Sequence, residues 1–196
     1  SGVGVREGLF LTDLLRRNNH RFPPNFNPSV KNMISKYYGD GEYRAVTRRA
    51  ARLYELLHER FDGKRDYEGV LNIAAKLSMI GRYINIYKYN KIGQMMVVEE
   101  LNYGFSHPEI YTVATLVRYS KNKLPHKPQG SEKQLLPEYR VLEYLSFILS
   151  LAIKINDKST VDMQEEELKV CGDYVVTKEL ASLQAPGDLE FSYCGG

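Results

Sequence analysis

Apolar residues recur at spacings of three and four along much of this chain, and the pattern predicts a succession of helices. The clearest case lies within residues 66–90. There Val70, Ile73, Ala74, Leu77, Ile80 and Ile84 share one helical face, and Ala74 and Ala75 are small enough to admit a close neighbour. Gly81 interrupts the pattern as a terminator or tight corner would. We read this stretch as the central helix of an all-helical core. A second helix is predicted from about Tyr43 to Phe61, with Val46, Ala50, Leu53, Leu57 and Phe61 facing inward. Gly63 separates the two, which predicts an antiparallel pair.

The remaining elements follow from the same pattern and its punctuation. Leu9, Phe10, Leu11, Leu14 and Leu15 predict a short helix ending at the polar run 16–20. The loop FPPNFNP over 22–28 cannot be regular helix. Asn27 is placed to cap a helix from Pro28 to about residue 38, which the glycines at 39 and 41 end. Residues 90–102 read as a helix through Ile92, Met95, Met96, Val98 and Leu101. Ser106 is placed to cap the next, 108–120, with Glu109 at its favourable amino end. A polar, Pro-containing loop fills 121–134, and 137–156 is apolar nearly all round, as a buried helix is.

After Asp157 the period changes. Val161, Met163, Leu168 and Val170 alternate with polar residues, 174–176 and 189–193 read as extended, and Gly172 with Asp173 reads as a turn. Glu165, Glu166 and Glu167 read as a solvated charge run in a turn. The fold class is therefore mainly α, a helical bundle followed by a small β appendix. The divisions fall at 1–21, 22–157 and 158–196.

Composition adds little: 43% hydrophobic and 26% charged is ordinary for a globular domain. The net charge of +3 leaves any anion binding to local clusters. Cys171 and Cys194 read as two reduced thiols of a cytoplasmic protein. Residues 1–5 lack the charged start and apolar run of a secretory signal, and the start at Ser1 reads as a piece of a larger protein. The apolar run 141–153 is shorter than the roughly 20 residues a bilayer requires.

Candidate chemistry is sparse. His20, His58, His107 and His126 show no metal-ligand spacing with one another or with the cysteines. No nucleophile elbow and no phosphate-cradling glycine loop is present, so no catalytic residue is assigned. The positive signal is basic: Arg44, Arg48 and Arg52 recur every four residues with Arg49 adjacent. Like charges at that spacing repel by roughly 0.2–0.5 kcal/mol per pair. Guanidinium forks match phosphate oxygens. A second group is Arg118, Lys121 and Lys123, with His126 and Lys127; Arg16, Arg17, His20 and Arg21, and Lys64 with Arg65, form others. The ordinary reading of each is a solvated face.

Several segments resemble one family in order and spacing. The opening SGVGVREGLFLTDLL, then AAKLSMIGRYINIYKYNKIG, LNYGFSHPEIYTVATLVRYSKNKLP and LSFILSLAIKIND look like successive segments of the exopolyphosphatase / guanosine pentaphosphate phosphohydrolase (Ppx/GppA) family. The resemblance implies that 1–21 ends an actin-like catalytic part and that the helical domain is HD-like. Ser78, Met79, Tyr89, Ile92, Ser120 and Ile153 stand where relatives carry histidines or aspartates, so it implies a domain with no metal of its own. Mg²⁺ is expected only in the full-length enzyme.

The resemblance further implies partners: inorganic polyphosphate or a (p)ppGpp-type nucleotide, and a second copy in a homodimer. No membrane and no specific nucleic acid is expected. Arg44, Arg48, Arg49 and Arg52, then Arg118, Lys121 and Lys123, are the expected phosphate contacts. The alternative is a pure interaction module, with Tyr83, Ile86, Tyr87 and Tyr89 as an aromatic patch in which Ile86 is core. Residual HD hydrolase activity is the third reading.

Overall fold

A computed structural model describes residues 27–37, 41–102 and 104–195. The expected helix after Leu9 and the cluster Arg16 to Arg21 lie outside them. The chain order is α1 (Pro28–Tyr37), α2 (Glu42–Phe61), α3 (Glu68–Leu77), a 3₁₀ turn (Ile80–Tyr83), α4 (Tyr89–Glu100), α5 (His107–Arg118), the short α6 (Glu132–Leu135) and α7 (Tyr139–Lys154). There follow β1 (Thr160–Gln164), β2 (Glu167–Gly172), α8 (Tyr174–Leu180) and β3 (Glu190–Gly195). The fold is mainly helical with a small sheet at the carboxyl end, as the periodicity predicts. Among the described residues no helix is long and apolar enough to cross a membrane.

Helix starts follow the expected capping chemistry. The Asn27 side-chain oxygen accepts from the backbone N–H of Ser29 at 2.9 Å and Val30 at 3.2 Å. Ser106 and Glu109 form a reciprocal capping box at the start of α5, with Pro108 in its first turn. Gly41, at φ 108, supplies the left-handed residue that lets α2 begin. Buried Asp62 accepts from the backbone N–H of Asp66 at 3.0 Å and Tyr67 at 2.9 Å, and from the Tyr54 hydroxyl. That carboxylate sews the end of α2 to the start of α3. Burial and the Asp62 charge push the Tyr54 phenol well above its usual value.

Helices α2, α3, α5 and α7 form the bundle. Eleven of the sixteen residues of α7 are buried, so the centre lies at α7 rather than at the stretch beginning at residue 66. Phe61 of α2 stacks on Tyr144 of α7 with ring centroids 4.9 Å apart.

Three expectations about local structure are corrected. Ile84 and Ile86 are exposed rather than inward, at 61% and 63%. Helix α3 already ends at Leu77, and Gly81 sits within the 3₁₀ turn that follows. A turn at Asn85 follows, whose side chain accepts from the N–H of Tyr87 at 2.9 Å and Lys88 at 3.0 Å. Residues 174–176 are not extended but begin α8, because Asp173 caps the helix by accepting from the Val176 N–H at 3.0 Å. Strand β2 pairs antiparallel with β1 and parallel with β3, and a parallel partner requires a crossover, which α8 supplies. Cys171 and Cys194 are not reduced thiols. They are register neighbours on β2 and β3, with Cα atoms 4.5 Å apart, and form a disulfide. The sheet joins the main core: Leu168 and Val170 are buried, and Phe191 meets Phe147 of α7 edge-on at 5.4 Å.

Candidate phosphate-binding site

Antiparallel packing gathers several charged termini at one end of the bundle. Tyr43, beginning α2, lies in electrostatic range of Lys76 at the end of α3. Arg48 of α2 pairs with Asp157, just past the end of α7. The Ser150 hydroxyl of α7 donates to the Tyr119 carbonyl beyond α5 at 3.0 Å, and Asn90 of α4 donates to the Arg118 carbonyl at 2.7 Å. This end thus collects the starts of α2 and α4 with the ends of α3, α5 and α7. Lys76, Arg118 and Lys154 lie in the last turns of their helices, where the helix dipole favours cations. The 30 residues from Gly69 to Val98 contain no Asp or Glu, but include Lys76, Arg82, Lys88 and Lys91.

The two predicted basic groups share this end but form separate walls. Arg48, Arg49 and Arg52 line a groove of about 240 Å³ between α2 and the turn after α7, with Asn156, Asp157 and Ser159 opposite. Arg48 and Arg52 are exposed. Arg49 is mostly covered, its side chain 17% exposed, and its Nε is buried with no hydrogen-bond partner among the described residues. Burial lowers the Arg49 pKa, Arg48 adds to the effect, and Asp157 opposes it. Arg44 lies a turn earlier on α2, its guanidinium 5.9 Å from the Tyr43 ring centre.

The second wall is at the start of α4. Lys121 Nζ donates to the Tyr87 carbonyl at 2.7 Å and stands 4.7 Å from the Tyr89 ring centre, with Arg82 at 5.1 Å from the same ring. Lys123 is exposed, and Arg118 half-buried. Lys64 and Arg65 lie at the turn between α2 and α3, at the opposite end, where Arg65 pairs with Glu55 at 2.7 Å and Glu68 at 3.2 Å. Sequence reasoning missed Asp157 as part of the groove. Its signal was its place immediately after the apolar run of α7.

The positions at which the resemblance implies histidines or aspartates carry other chemistry. Buried Ser78 and Ser120 donate to the carbonyls of Ala75 and Val117, at 2.9 and 2.8 Å, inside their own helix ends. Met79 and Tyr89 are buried, and Ile92 and Ile153 pack half-buried against the core. Among the described residues no group of three or more His, Cys, Asp or Glu side chains could hold a metal ion. This donor set does not fit Mg²⁺ or a transition metal.

No curated protein matches this chain. A family model described as Ppx/GppA phosphatase, domain III, matches residues 27–184, which spans the bundle, β1, β2 and α8. The chain therefore belongs to the Ppx/GppA phosphatase family and carries its domain III.

Proposed function

We propose that this domain docks a phosphate chain for hydrolysis carried out elsewhere in the protein. Its ligand is inorganic polyphosphate or a (p)ppGpp-type nucleotide. Phosphoanhydride cleavage, with its Mg²⁺, belongs to lobes outside the described residues. The single observation behind this reading is the gathering of Arg48, Arg49 and Arg52 in one groove, on the same end of the bundle as Arg82 and Lys121. Forked donors in a concave site suit phosphate oxygens. The second cationic wall suits a ligand longer than one phosphate. In this reading the protein works in the cytoplasm as a homodimer.

The test is binding of polyphosphate by the 196-residue chain across a salt series. Several displaced counterions give a steep fall of affinity with salt. Arg48→Ala with Arg52→Ala reduces both the affinity and the slope. Salt-insensitive or absent binding overturns the reading.

One observation favours a second reading, that of an interaction module. Tyr83, Ile84, Ile86 and Tyr87 are 74%, 61%, 63% and 83% exposed in consecutive turns. Such a cluster of large apolar side chains is typical of a contact surface. A tight dimer in sedimentation without any polyphosphate affinity favours this reading instead.

A further inference from the structure

We propose that Asp157 is an internal competitor for the arginine groove, a carboxylate that occupies Arg48 and Arg49 until a polyanion displaces it. The inference rests on the phosphate-docking reading and adds a selectivity device to it.

The geometry is specific. One Asp157 oxygen accepts from Arg48 at 2.7 Å, and the other lies 3.8 Å from Arg49. The turn that presents Asp157 is held by its neighbour. Asn156 accepts from the backbone N–H of Lys158 at 3.0 Å and Ser159 at 3.1 Å, and donates to Asp173 at 3.1 Å. The carboxylate is therefore placed by a fixed turn rather than by a mobile loop. Yet its side chain is 61% exposed and Arg48 66% exposed, so neither is locked in by burial. An exposed ion pair of this kind adds little stability. It is readily exchanged for a better anion.

A short phosphate chain, up to tripolyphosphate, entering the groove takes the place of the carboxylate and meets its repulsion. It gains little over the resting pair. A longer phosphate chain reaches Arg52 and Arg44 as well, and the extra contacts offset the displaced Asp157. The residue thus sets a threshold in charge and length, penalising the weaker ligand as negative selection does.

Asp157→Asn keeps the size of the side chain and removes the charge. The probes are tripolyphosphate and long-chain inorganic polyphosphate, titrated against the unmodified chain and the variant at one salt concentration. The expected result is a gain of roughly tenfold for tripolyphosphate and a smaller gain for the long chain. Adding Arg48→Ala to Asp157→Asn abolishes most of the gain, since the freed guanidinium is its source. Thermal melts of each variant, and Asp157→Ala as a second neutral residue, confirm that folded protein is compared. Unchanged or weaker binding by both neutral variants overturns the inference and makes Asp157 a structural counterion, while long-chain binding by the unmodified protein leaves the docking reading standing. Equal gains for both probes overturn the length threshold. Failure of every protein to bind either probe overturns the docking reading together with the inference.

Discussion

Gly81 touches the backbone of Tyr89: a Cβ at Gly81 would stand 2.1 Å from the Tyr89 carbonyl oxygen and 2.8 Å from the Gly93 nitrogen. Backbone atoms cannot swing away as a side-chain tip can. This contact lets the start of α4 lie against the 3₁₀ turn and sets Tyr89 between Arg82 and Lys121. We expect Gly81→Ala to cost about 3 kcal/mol or to prevent folding, measured by denaturant unfolding. Gly93→Ala should cost less, because its nearest obstacle is a Val117 methyl at 2.8 Å. Equal, small losses at both positions would contradict this packing.

The cystine makes a second expectation. Protein purified without reductant and denatured should show no titratable thiol. Reduction, or Cys194→Ala, should lower stability by about 3 kcal/mol for a bridge that spans 23 residues. Two free thiols in the denatured, non-reduced protein would restore the reading of reduced cysteines. Such bonds persist where the surroundings are oxidising, so a bridge found in the purified protein would count against the cytoplasmic setting proposed above.

Asp173 gives a pH dependence whose sign can be worked out. The Val176 N–H, helped by Asn156, holds its carboxyl below the usual range. A carboxylate with a depressed folded value contributes stability above its unfolded value, about 3.9, and loses it as pH falls through the folded value. Thermal melts from pH 6 downward should therefore show a loss that Asp173→Asn, which keeps a capping oxygen, does not share at the acid end. A parallel acid loss in that variant would assign the effect to other carboxylates.

Phe147 joins bundle and sheet, being fully buried and edge-on to Phe191. Phe147→Ala should cost about 3–5 kcal/mol. It should also raise proteolysis of the carboxyl-terminal strands. Phe191→Ala, at a partly buried position, should cost less. A variant with unchanged melting would separate the sheet from the core.

The exposed cluster at residues 83–87 predicts an effect on association rather than on stability. Ile86→Asp with Tyr87→Asp should leave the melting temperature within a few degrees. If self-association uses this surface, the variant should sediment as a monomer. An unchanged dimer would place the interface elsewhere.

The chain order of most helices was legible in the residues, because the three-and-four spacing and caps such as Asn27 and Ser106 act over a few positions. So was the fold class, since the apolar run of α7 leaves few alternatives to a buried helix. Ile84 and Ile86 were misjudged because the apolar spacing persists in the letters after the helix has ended at Leu77. The β-branched run after Asp173 resembled a strand; the Asp173 cap starts α8 there, and the parallel pairing of β2 with β3 needs the crossover it supplies. The pairing of Cys171 with Cys194 depends on the register of β2 with β3, which no local pattern contains. The gathering of the basic side chains was decided in the same way. Arg48 and Lys121 lie far apart in the chain, and antiparallel helix packing, driven by burial of apolar faces, brings them to one end. Which cation meets which carboxylate is likewise a through-space matter, and Arg48 found Asp157 across 109 positions of sequence.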